Sequence, residues 1–393
     1  MLFVFFLIGG WLIALLWVWR TLVALRYLPS IPDLLDERYS QSLSDMAQIT
    51  VIVPGRNEEQ GVEACLRTLL DIDSVRLEIL AVNDRSTDAT GAIMERVAAE
   101  GRAQGKSISV LHVTELPAGW MGKTHAMALA ARQASSPWLL FTDADIHFAK
   151  DSLLRAMNLA AAERADHVVI FPSLVLKSFG ESMMIAFFQG IAAIASRFWR
   201  IPDPKAKESM GVGAFNLIRA DVYRAMGGFE ALRMEVLEDL KFGFEVKHQG
   251  YRQRVAFGRD LVRVRWAVGL TGVIRNITKN FFAVFRFRAG ITIAACLGLG
   301  LIGVVPFILL ITGPWPLRIP SLLILAMLVL LYRYYRQFTG ISAAYVLTFP
   351  VAACLVVYSI LRSMTITLVR GGVNWRGTHY PLSELRKNAG PLR

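Results

Sequence analysis

The chain has 393 residues, enough for one large domain or two ordinary ones, and its 54% hydrophobic content and mean hydropathy of +0.43 are high for a soluble protein. The net charge of +12 is most simply explained by attraction to anionic lipid headgroups or to an anionic substrate, and no nucleic-acid-binding motif accompanies it. The three cysteines form neither a disulfide framework nor a metal-binding pair.

The apolar residues near the start of the sequence predict a membrane anchor at residues 1–27. Residues 2–19 carry no charge, and about 18 apolar residues are just long enough to span a bilayer. No basic run precedes this stretch and no small-residue cleavage site follows it, so we expect the segment to be retained. Because Arg20 and Arg26 follow the apolar stretch, the positive-inside rule places that side in the cytoplasm.

Residues 48–175 alternate between strand and helix patterns, which is typical of an α/β fold with a mostly parallel sheet covered on both faces. Strands are predicted at 48–54, 77–84, 107–113, 137–145 and 166–174. Helices are predicted at 58–72, 86–100, 122–134 and 150–163. Ligands bind to such sheets at the carboxyl ends of the strands, so the residues there are the candidates for a site.

Charged residues collect at these strand ends, with Arg56 and Glu58 after the first strand, Asp84 at the second, and Asp143 and Asp145 at the fourth. In a strand, two aspartates separated by one residue point to the same face, where their repulsion makes unpaired burial costly. A divalent cation, Mg²⁺ or Mn²⁺, is the expected compensating charge, and it would bridge the carboxylates to a diphosphate. The alternative is that the two aspartates cap the following helix.

A second carboxylate pair, Glu238 and Asp239, lies in a predicted helix at residues 235–251. Adjacent helical residues diverge by about 100°, so one carboxylate can face a crevice while the other pairs or caps. A carboxylate in a crevice can act as a general base toward an attacking hydroxyl, whereas such a pair alone is usually surface charge.

Lys123 is a candidate phosphate ligand. Residues 117–124 end like a phosphate-binding loop, but Pro117 occupies a position where that motif needs glycine. A lysine at the start of a helix can still hold a phosphate through its charge and the helix N-terminus.

Further apolar segments predict interfacial helices and membrane segments. Residues 176–200 suit either a helix in the membrane interface or a buried helix of the domain, and residues 272–290 suit a helix on an anionic membrane surface. Residues 291–362 contain three apolar runs, and residues 363–393 form a basic tail expected in the cytoplasm. Three full spans after a cytoplasmic domain would place that tail outside, so the topology stays open.

Six motifs in order resemble family 2 glycosyltransferases of the GT-A fold, a Rossmann-like nucleotide-diphospho-sugar transferase domain. They are VIVPGRNEE, VNDRSTDAT, PAGWMGKTHAMALA, FTDADIHF, GAFNLIR and LEDLKFG, within residues 48–270. The membrane segments on both sides make the chain most similar to the membrane-bound, hopene-associated and carotenoid-type branch, with ceramide glucosyltransferases more distant.

The resemblance implies an inverting, one-step transfer from a nucleotide sugar with Mg²⁺ or Mn²⁺ as cofactor. Asp239 matches the catalytic base, and Asp143 and Asp145 match the metal-binding pair, with Asp145 the more direct ligand. Asp84 matches the carboxylate that hydrogen-bonds the nucleotide base, usually uracil. Substrate contacts are implied for Pro54, Glu58, Asp84, Lys123 and Asp143.

Two segments depart from the family pattern. Val262 precedes Arg265 and Trp266 where processive and ceramide-type members carry Gln or Arg, which weakens the case for a polysaccharide synthase. The segment at 371–382 matches a family motif only loosely, and we assign it no role.

The leading hypothesis is a multi-pass enzyme of the inner (cytoplasmic) membrane whose catalytic domain faces the cytoplasm. It would move a sugar from a nucleotide-diphosphate donor, expected to be a UDP-sugar, to a hydroxyl of a membrane lipid, such as a hopanoid or other isoprenoid lipid. A processive polysaccharide synthase is one alternative, but the chain has few spans to form a channel. A non-catalytic membrane scaffold with a degenerate nucleotide-binding domain is another, although every acidic position that the family expects is present.

Overall fold

A computed structural model describes residues 2–41 and 46–388. The strands are β1 (Gln48–Gly55), β2 (Arg76–Asp84), β3 (Ser107–Val113), β4 (Trp138–Phe141), β5 (Ile146–Phe148), β6 (His167–Leu174), β7 (Asn216–Arg219), β8 (Gln253–Val264), β9 (Gly372–Trp375) and β10 (Thr378–Pro381). The helices are α1 (Leu2–Tyr27), α2 (Val62–Leu70), α3 (Thr90–Ala103), α4 (Gly122–Gln133), α5 (Ser152–Ala162), α6 (Phe179–Ala195), α7 (Ala220–Ala225), α8 (Glu238–His248), α9 (Gly269–Val284), α10 (Ala289–Gly303), α11 (Val305–Thr312), α12 (Trp315–Thr339), α13 (Phe349–Val369) and α14 (Leu382–Asn388).

The chain divides into two compact units. The α/β unit contains Ile31–Val175 and Phe198–Arg265. The helical unit contains Met1–Ser30, Leu176–Arg197 and Trp266–Arg393. The predicted α/β class is therefore found in the middle of the sequence, while the segments predicted to meet the membrane belong to the helical unit.

The α/β unit is built on an eight-stranded mixed sheet with the order β3-β2-β1-β4-β7-β6-β8-β5. Strands β3, β2, β1 and β4 run parallel, and β7 lies antiparallel to both β4 and β6. Val51 of β1 pairs with Ile79 on one side and with Leu140 on the other, so β1 is central and flanked by apolar strands. The carboxyl ends of β1, β2 and β4 consequently meet at one edge of the sheet.

Side chains of β1 alternate between two apolar layers, as the two-residue period of a strand requires. Ile49, Val51 and Val53 pack in the layer that includes α2, α3 and α5, and Ile52 packs in the layer that includes α4, α7 and α8. All four are fully buried, and burial of an aliphatic side chain contributes about 1.5–3 kcal/mol. The sheet is therefore held between helices on both faces, which fixes the edge at which the loops emerge.

The strand predicted at 137–145 ends earlier than expected. Strand β4 stops at Phe141, and Asp143 and Asp145 lie in the turn before β5. The argument that two residues on one strand share a face therefore does not apply to these aspartates. The turn allows each carboxylate to have its own surroundings, and β5 continues the chain by pairing antiparallel with β8.

Within the described residues, the helical unit contains four helical segments that are long and apolar enough to cross a membrane. They are Phe6–Ser30, Ala289–Thr312, Trp315–Thr339 and Ala343–Val369. The middle of the three C-terminal runs is part of a 25-residue helix that continues past Pro320. The predicted basic tail folds in part into the β9–β10 hairpin and α14, and its last five residues, 389–393, lie outside the described residues.

Two charged side chains tie α6 into the helical unit. The Arg20 guanidinium of α1 donates to the carbonyl oxygen of Ser196 at 2.6 Å, just past the C-terminal end of α6. At the other end, the Glu181 carboxylate accepts hydrogen bonds from the backbone N–H groups of Lys177 and Gly269, each at 2.6 Å. Charge-assisted hydrogen bonds of this kind are roughly twice as strong as neutral ones, so both ends of α6 are fixed.

Asp166 joins the starts of β6 and β8 in the α/β unit. Its carboxylate accepts the backbone N–H of Arg252 at 2.9 Å and the Arg252 guanidinium at 3.0 and 3.1 Å, and Arg219 donates at 3.3 Å. Burial opposes the charged form, but these hydrogen bonds and charges hold the pKa of Asp166 below its ordinary value. The carboxylate therefore stabilises the fold at neutral pH.

We expect Asp166→Asn to lower the free energy of unfolding by about 2 kcal/mol, because it removes charge-assisted hydrogen bonds from a buried position. Chemical unfolding of the full chain in detergent would measure this. Asp221→Asn is the matched control, since Asp221 also pairs with Arg219 but at the surface, and its loss should be below about 1 kcal/mol. Equal losses in the two variants would contradict the prediction.

Candidate active site

The residues predicted for the site lie at or beyond the carboxyl ends of three parallel strands. Pro54 is in β1, and Asp84 is the last residue of β2. Glu58 lies in the loop after β1, and Asp143 and Asp145 lie in the turn after β4. The sheet topology brings these sequence-distant positions to one edge.

The loops after β1 and β2 are joined by hydrogen bonds. Asn57 has a positive φ of 55°, and its side-chain oxygen accepts the backbone N–H of Thr87 at 2.8 Å. Its own N–H donates to the Ser86 hydroxyl at 3.1 Å, and the N–H of Glu58 donates to the Thr90 hydroxyl at 2.7 Å. The backbone at Glu58 is therefore fixed by the start of α3.

Asp84 is buried beside the start of α4. The Arg85 guanidinium donates to its two carboxylate oxygens at 2.7 and 3.1 Å. A Cβ added to Gly122 would lie 2.4 Å from the Asp84 carboxylate, so only glycine allows α4 to begin this close to β2. The same close approach places Lys123, the next residue, at the strand-end edge.

The Lys123 ammonium is shared between two carboxylates from different parts of the chain. Its Nζ lies 2.6 Å from Oδ1 of Asp143 and 2.6 Å from Oε1 of Glu238, the first residue of α8. Burial disfavours the ammonium, but the charges of Asp143, Glu238 and Asp239 outweigh it and hold the pKa of Lys123 above its ordinary value. The lysine is therefore a permanent cation within an acidic group.

Gly213 connects the Asp143 backbone to the Asp239 side chain. Its carbonyl oxygen accepts the N–H of Asp143, and its own N–H donates to Oδ2 of Asp239, both at 3.0 Å. The second oxygen of Asp239 accepts the N–H of Leu240 at 2.8 Å. A Cβ at Gly213 would lie 2.5 Å from the Asp143 carboxylate, so this contact requires glycine.

Among the described residues, Asp239 and Asp145 are the two carboxyls with strongly raised pKa values. Burial and then the charge of Glu238 raise the pKa of Asp239 to about 7, while Lys123 opposes the rise. Burial and then the charges of Asp143 and Glu58 raise the pKa of Asp145 to about 7. Perturbed carboxyls at the strand-end edge of an α/β sheet are typical of a catalytic site.

The glycine-containing loop at 210–213 is held against α8 by close backbone contact and by Gln253. The Gln253 side chain accepts the N–H of Met210 at 2.9 Å and donates to the carbonyl oxygens of Met210 at 2.9 Å and of Gly243 at 3.1 Å. A Cβ at Gly211 would lie 1.7 Å from the Asp239 carbonyl oxygen. These contacts explain how Gly213 reaches the Asp239 carboxylate.

Gly211, Gly213 and Gln253 contribute to the site although the sequence did not predict it, and the residues alone left open which member of the Glu238–Asp239 pair contacts a partner. The two glycines do not belong to a dinucleotide-binding fingerprint, because Asn216 stands where its third glycine should be. Their spacing of two residues was the available signal for a close backbone approach. No local sequence signal marks Gln253, because its partners include Met210, 43 positions away, and His167, 86 positions away.

A divalent metal fits the carboxylates at this edge. Within residues 2–41 and 46–388, no group of three or more His, Cys, Asp or Glu side chains is arranged to hold a metal ion. Mg²⁺ is commonly bound by one or two carboxylates, with waters and substrate phosphates as the other ligands. Burial and then the negative charges of Asp143 and Glu58 raise the pKa of Asp145, and a cation held by Asp143 and Asp145 would oppose this rise.

Comparison with known proteins identifies a matching family and a related fold. Residues 50–227 match the model described as glycosyl transferase family 2. The 4,4'-diaponeurosporenoate glycosyltransferases of Staphylococcus aureus strains MRSA252 and USA300 are each 24% identical over 235 residues, which are 59% of this chain and 60% of the relative. The chain therefore spans about 60% of the length of the curated relatives that it matches.

A solved glycosyltransferase structure has a fold similar to that of this chain. The mannosyltransferase PcManGT from Pyrobaculum calidifontis, in complex with GDP-Man and Mn²⁺, has a TM-score of 0.50 and 20% sequence identity. The match covers 88% of this chain and 99% of that chain. At this level of identity, the likeness concerns the fold alone.

We expect Gly213→Ala to push the Asp143 carboxylate away from Lys123 and so lower the pKa of the ammonium. A fall of one pKa unit gives about a tenfold increase in reactive amine, so acylation of Lys123 should be faster. Peptide mass spectrometry would measure the rate, with Lys106 as reference because it pairs with Asp73 at the opposite edge of the sheet. Gly290→Ala is the control, since nothing lies within 4 Å of the added methyl group.

An unchanged Lys123 acylation rate in Gly213→Ala would show that Asp143 tolerates the methyl group without leaving the ammonium. The same increase in Gly290→Ala would indicate a general loosening of the chain.

Proposed function

We propose that this chain, which carries a family 2 glycosyl transferase domain, transfers a sugar from a nucleoside-diphosphate donor to a hydroxyl group of an isoprenoid-type membrane lipid. The family predicted from the six motifs is confirmed by the match over residues 50–227, and the GT-A fold by the likeness to the mannosyltransferase. The observation that carries the proposal is the Asp239 carboxylate, held by the Gly213 N–H in the cluster that contains Lys123 and Asp143.

Asp239 is the proposed catalytic base. Its two oxygens accept backbone N–H groups, and its raised pKa makes it a better proton acceptor than an ordinary aspartate. It would take the proton of the acceptor hydroxyl while that oxygen forms a bond to the anomeric carbon. The bond from this carbon to the diphosphate oxygen breaks on the opposite face, which inverts the configuration.

The donor is proposed to bind along the strand-end edge, with its base near Asp84 and its diphosphate near Lys123. Pro54 lies near the carboxyl end of β1, and Glu58 lies in the loop that follows. A UDP-sugar follows from the family resemblance of Asp84, whereas the similar mannosyltransferase has GDP-Man bound. Both nucleotides therefore belong in a donor screen.

Asp143 and Asp145 are proposed to hold Mg²⁺ or Mn²⁺. The mannosyltransferase of similar fold contains Mn²⁺. When bound, the metal would neutralise the diphosphate leaving group. Asp145 is already crowded by negative charge from Asp143 and Glu58, which favours a cation beside it.

The acceptor is proposed to be a membrane lipid of the carotenoid or hopanoid type. The relatives are diaponeurosporenoate glycosyltransferases, and four segments of this chain are apolar and long enough to cross a membrane. The lysine and arginine side chains of residues 272–290 would contact an anionic membrane surface. The α/β unit would face the cytoplasm. These assignments separate the enzyme from a polysaccharide synthase, whose acceptor is a growing sugar chain.

We expect Asp239→Asn to reduce lipid glycosylation at least about 100-fold, because it removes the proton acceptor while keeping the side-chain shape. Donor binding should stay within about threefold, since the hydrogen bond from Gly213 can still form. Transfer of labelled sugar to total membrane lipid, using UDP- and GDP-sugars, would measure this. Glu245→Gln is the control, because Glu245 pairs with Lys241 on the same helix.

A non-catalytic scaffold would behave differently. It would give no labelled lipid with any donor, and its cellular role would survive Asp239→Asn. Full activity of Asp239→Asn would remove this residue from the mechanism.

We expect kcat/KM for transfer to fall as the pH drops below about 7, approaching a tenfold loss per unit, because kcat/KM reports the pKa values of the free enzyme. The sign follows because Asp239 has a raised pKa of about 7, is protonated below that pH, and then accepts no proton. Burial raises this pKa most, the charges of Glu238 and Asp143 add to the rise, and Lys123 and the Leu240 N–H oppose it. A pH profile of kcat/KM would test it, and a value independent of pH between 5 and about 8 would contradict it.

A further inference from the structure

Lys123 has a second role suggested by its two carboxylate partners. We propose that Lys123 is a built-in counter-ion that occupies Asp143 until the donor binds, so that metal and nucleoside diphosphate bind together rather than independently. This inference rests on the proposed function, in which Asp143 is a metal ligand and Lys123 contacts the diphosphate.

The Lys123 ammonium connects three chain segments. The lysine belongs to α4, and its Nζ lies 2.6 Å from Asp143, in the turn after β4, and 2.6 Å from Glu238, at the start of α8. The Glu238 side chain is only 12% exposed, and that of Lys123 only 28% exposed. Distances this short between ionised groups indicate strong charge-assisted hydrogen bonds.

Asp143 shares its carboxylate with the ammonium while this pair is intact. Its Oδ1 is bound to the ammonium, whereas the side chain as a whole is 40% exposed, so a metal can reach the carboxylate but only beside Lys123. A divalent cation at this carboxylate would meet a positive charge within hydrogen-bonding range. Like charges at that separation repel, so metal alone should bind weakly.

Binding of a diphosphate can draw the Lys123 ammonium away from Asp143 and leave this carboxylate to a divalent metal ion. Lysine carries its charge on a flexible four-carbon stem, so the ammonium can turn from Asp143 toward a phosphate without movement of α4. The released Asp143 carboxylate would then be available to hold a divalent cation, which would supply positive charge beside the diphosphate. Glu238 acts as a positioning residue, because it keeps the ammonium beside the site in the absence of the donor.

Because of this exchange, nucleotide binding strengthens metal binding, and metal binding strengthens nucleotide binding. Any factor by which the nucleotide tightens metal binding is the same factor by which the metal tightens nucleotide binding. A lysine with a merely structural role predicts something else, namely a loss of stability in Lys123→Met with no gain in metal affinity.

Manganese binding to the full chain in detergent provides the test, measured by electron paramagnetic resonance of free Mn²⁺ with and without UDP or GDP. We expect either nucleotide that binds to tighten Mn²⁺ binding at least about tenfold. In Lys123→Met, Mn²⁺ alone should bind at least about tenfold tighter than in the unaltered chain, because its competitor is gone. Lys106→Met removes the same charge at the opposite edge of the sheet and should leave Mn²⁺ binding unchanged.

A second measurement uses the unaltered chain and so does not depend on the folding of a variant. Saturation with Mn²⁺ alone should displace the ammonium from Asp143 and raise the acylation rate of Lys123 at least about threefold relative to Lys106.

The outcomes separate the two proposals. Mn²⁺-dependent binding of UDP or GDP, together with unchanged or weaker binding of Mn²⁺ alone in Lys123→Met, would overturn the counter-ion role and leave the proposed function intact. An unchanged Lys123 acylation rate at Mn²⁺ saturation would do the same. Absence of nucleotide binding in the unaltered chain, with Mn²⁺ present, would overturn both.

Discussion

The site depends on one ammonium that is shared between two carboxylates. Lys123 joins the start of α4 to Asp143 and to Glu238, and without this cation the acidic groups at the strand ends would repel one another. The cation therefore allows Asp143, Asp145, Glu238 and Asp239 to lie together at one edge of the sheet. Its effect is local, but the elements that it connects lie more than 100 positions apart in the sequence.

Backbone packing gives this electrostatic arrangement its geometry. Gly211 and Gly243 allow the loop at 210–213 to lie directly on α8, and Gln253 fastens the loop through hydrogen bonds to Met210. The result is that the N–H of Gly213 points at Asp239. A carboxylate held by backbone donors loses little freedom when it accepts a proton, because its orientation is set before the substrate arrives.

The sequence was sufficient to predict the α/β class and the position of Asp84, Asp143 and Glu58 at or just beyond strand ends, because parallel strands end at one edge. It was insufficient for β7, whose antiparallel pairing with β4 and β6 is a tertiary property. The same holds for the partners of Lys123, because no local pattern states that a lysine at the start of α4 will meet Glu238. The early end of β4 also went unpredicted, since an apolar run before an aspartate fits both a strand and the turn beyond it.

Local sequence pattern does not distinguish the roles of Glu238 and Asp239. Asp239 and Glu238 are adjacent and chemically alike, and only the observed partners distinguish them: a backbone N–H for the first and an ammonium for the second. Their pattern in the sequence would be the same if the roles were exchanged.

The long sequence separation between Arg20 and its hydrogen-bond partners affects the order of events during synthesis of the chain. This guanidinium of α1 bonds to the carbonyl oxygen of Ala193, which lies 173 residues later in the chain. At ordinary rates of synthesis, that separation corresponds to about 10–35 s between the appearance of the two groups at the ribosome. During that interval the charge has no partner on α6, so it must be solvated by water or other polar groups until α6 is made.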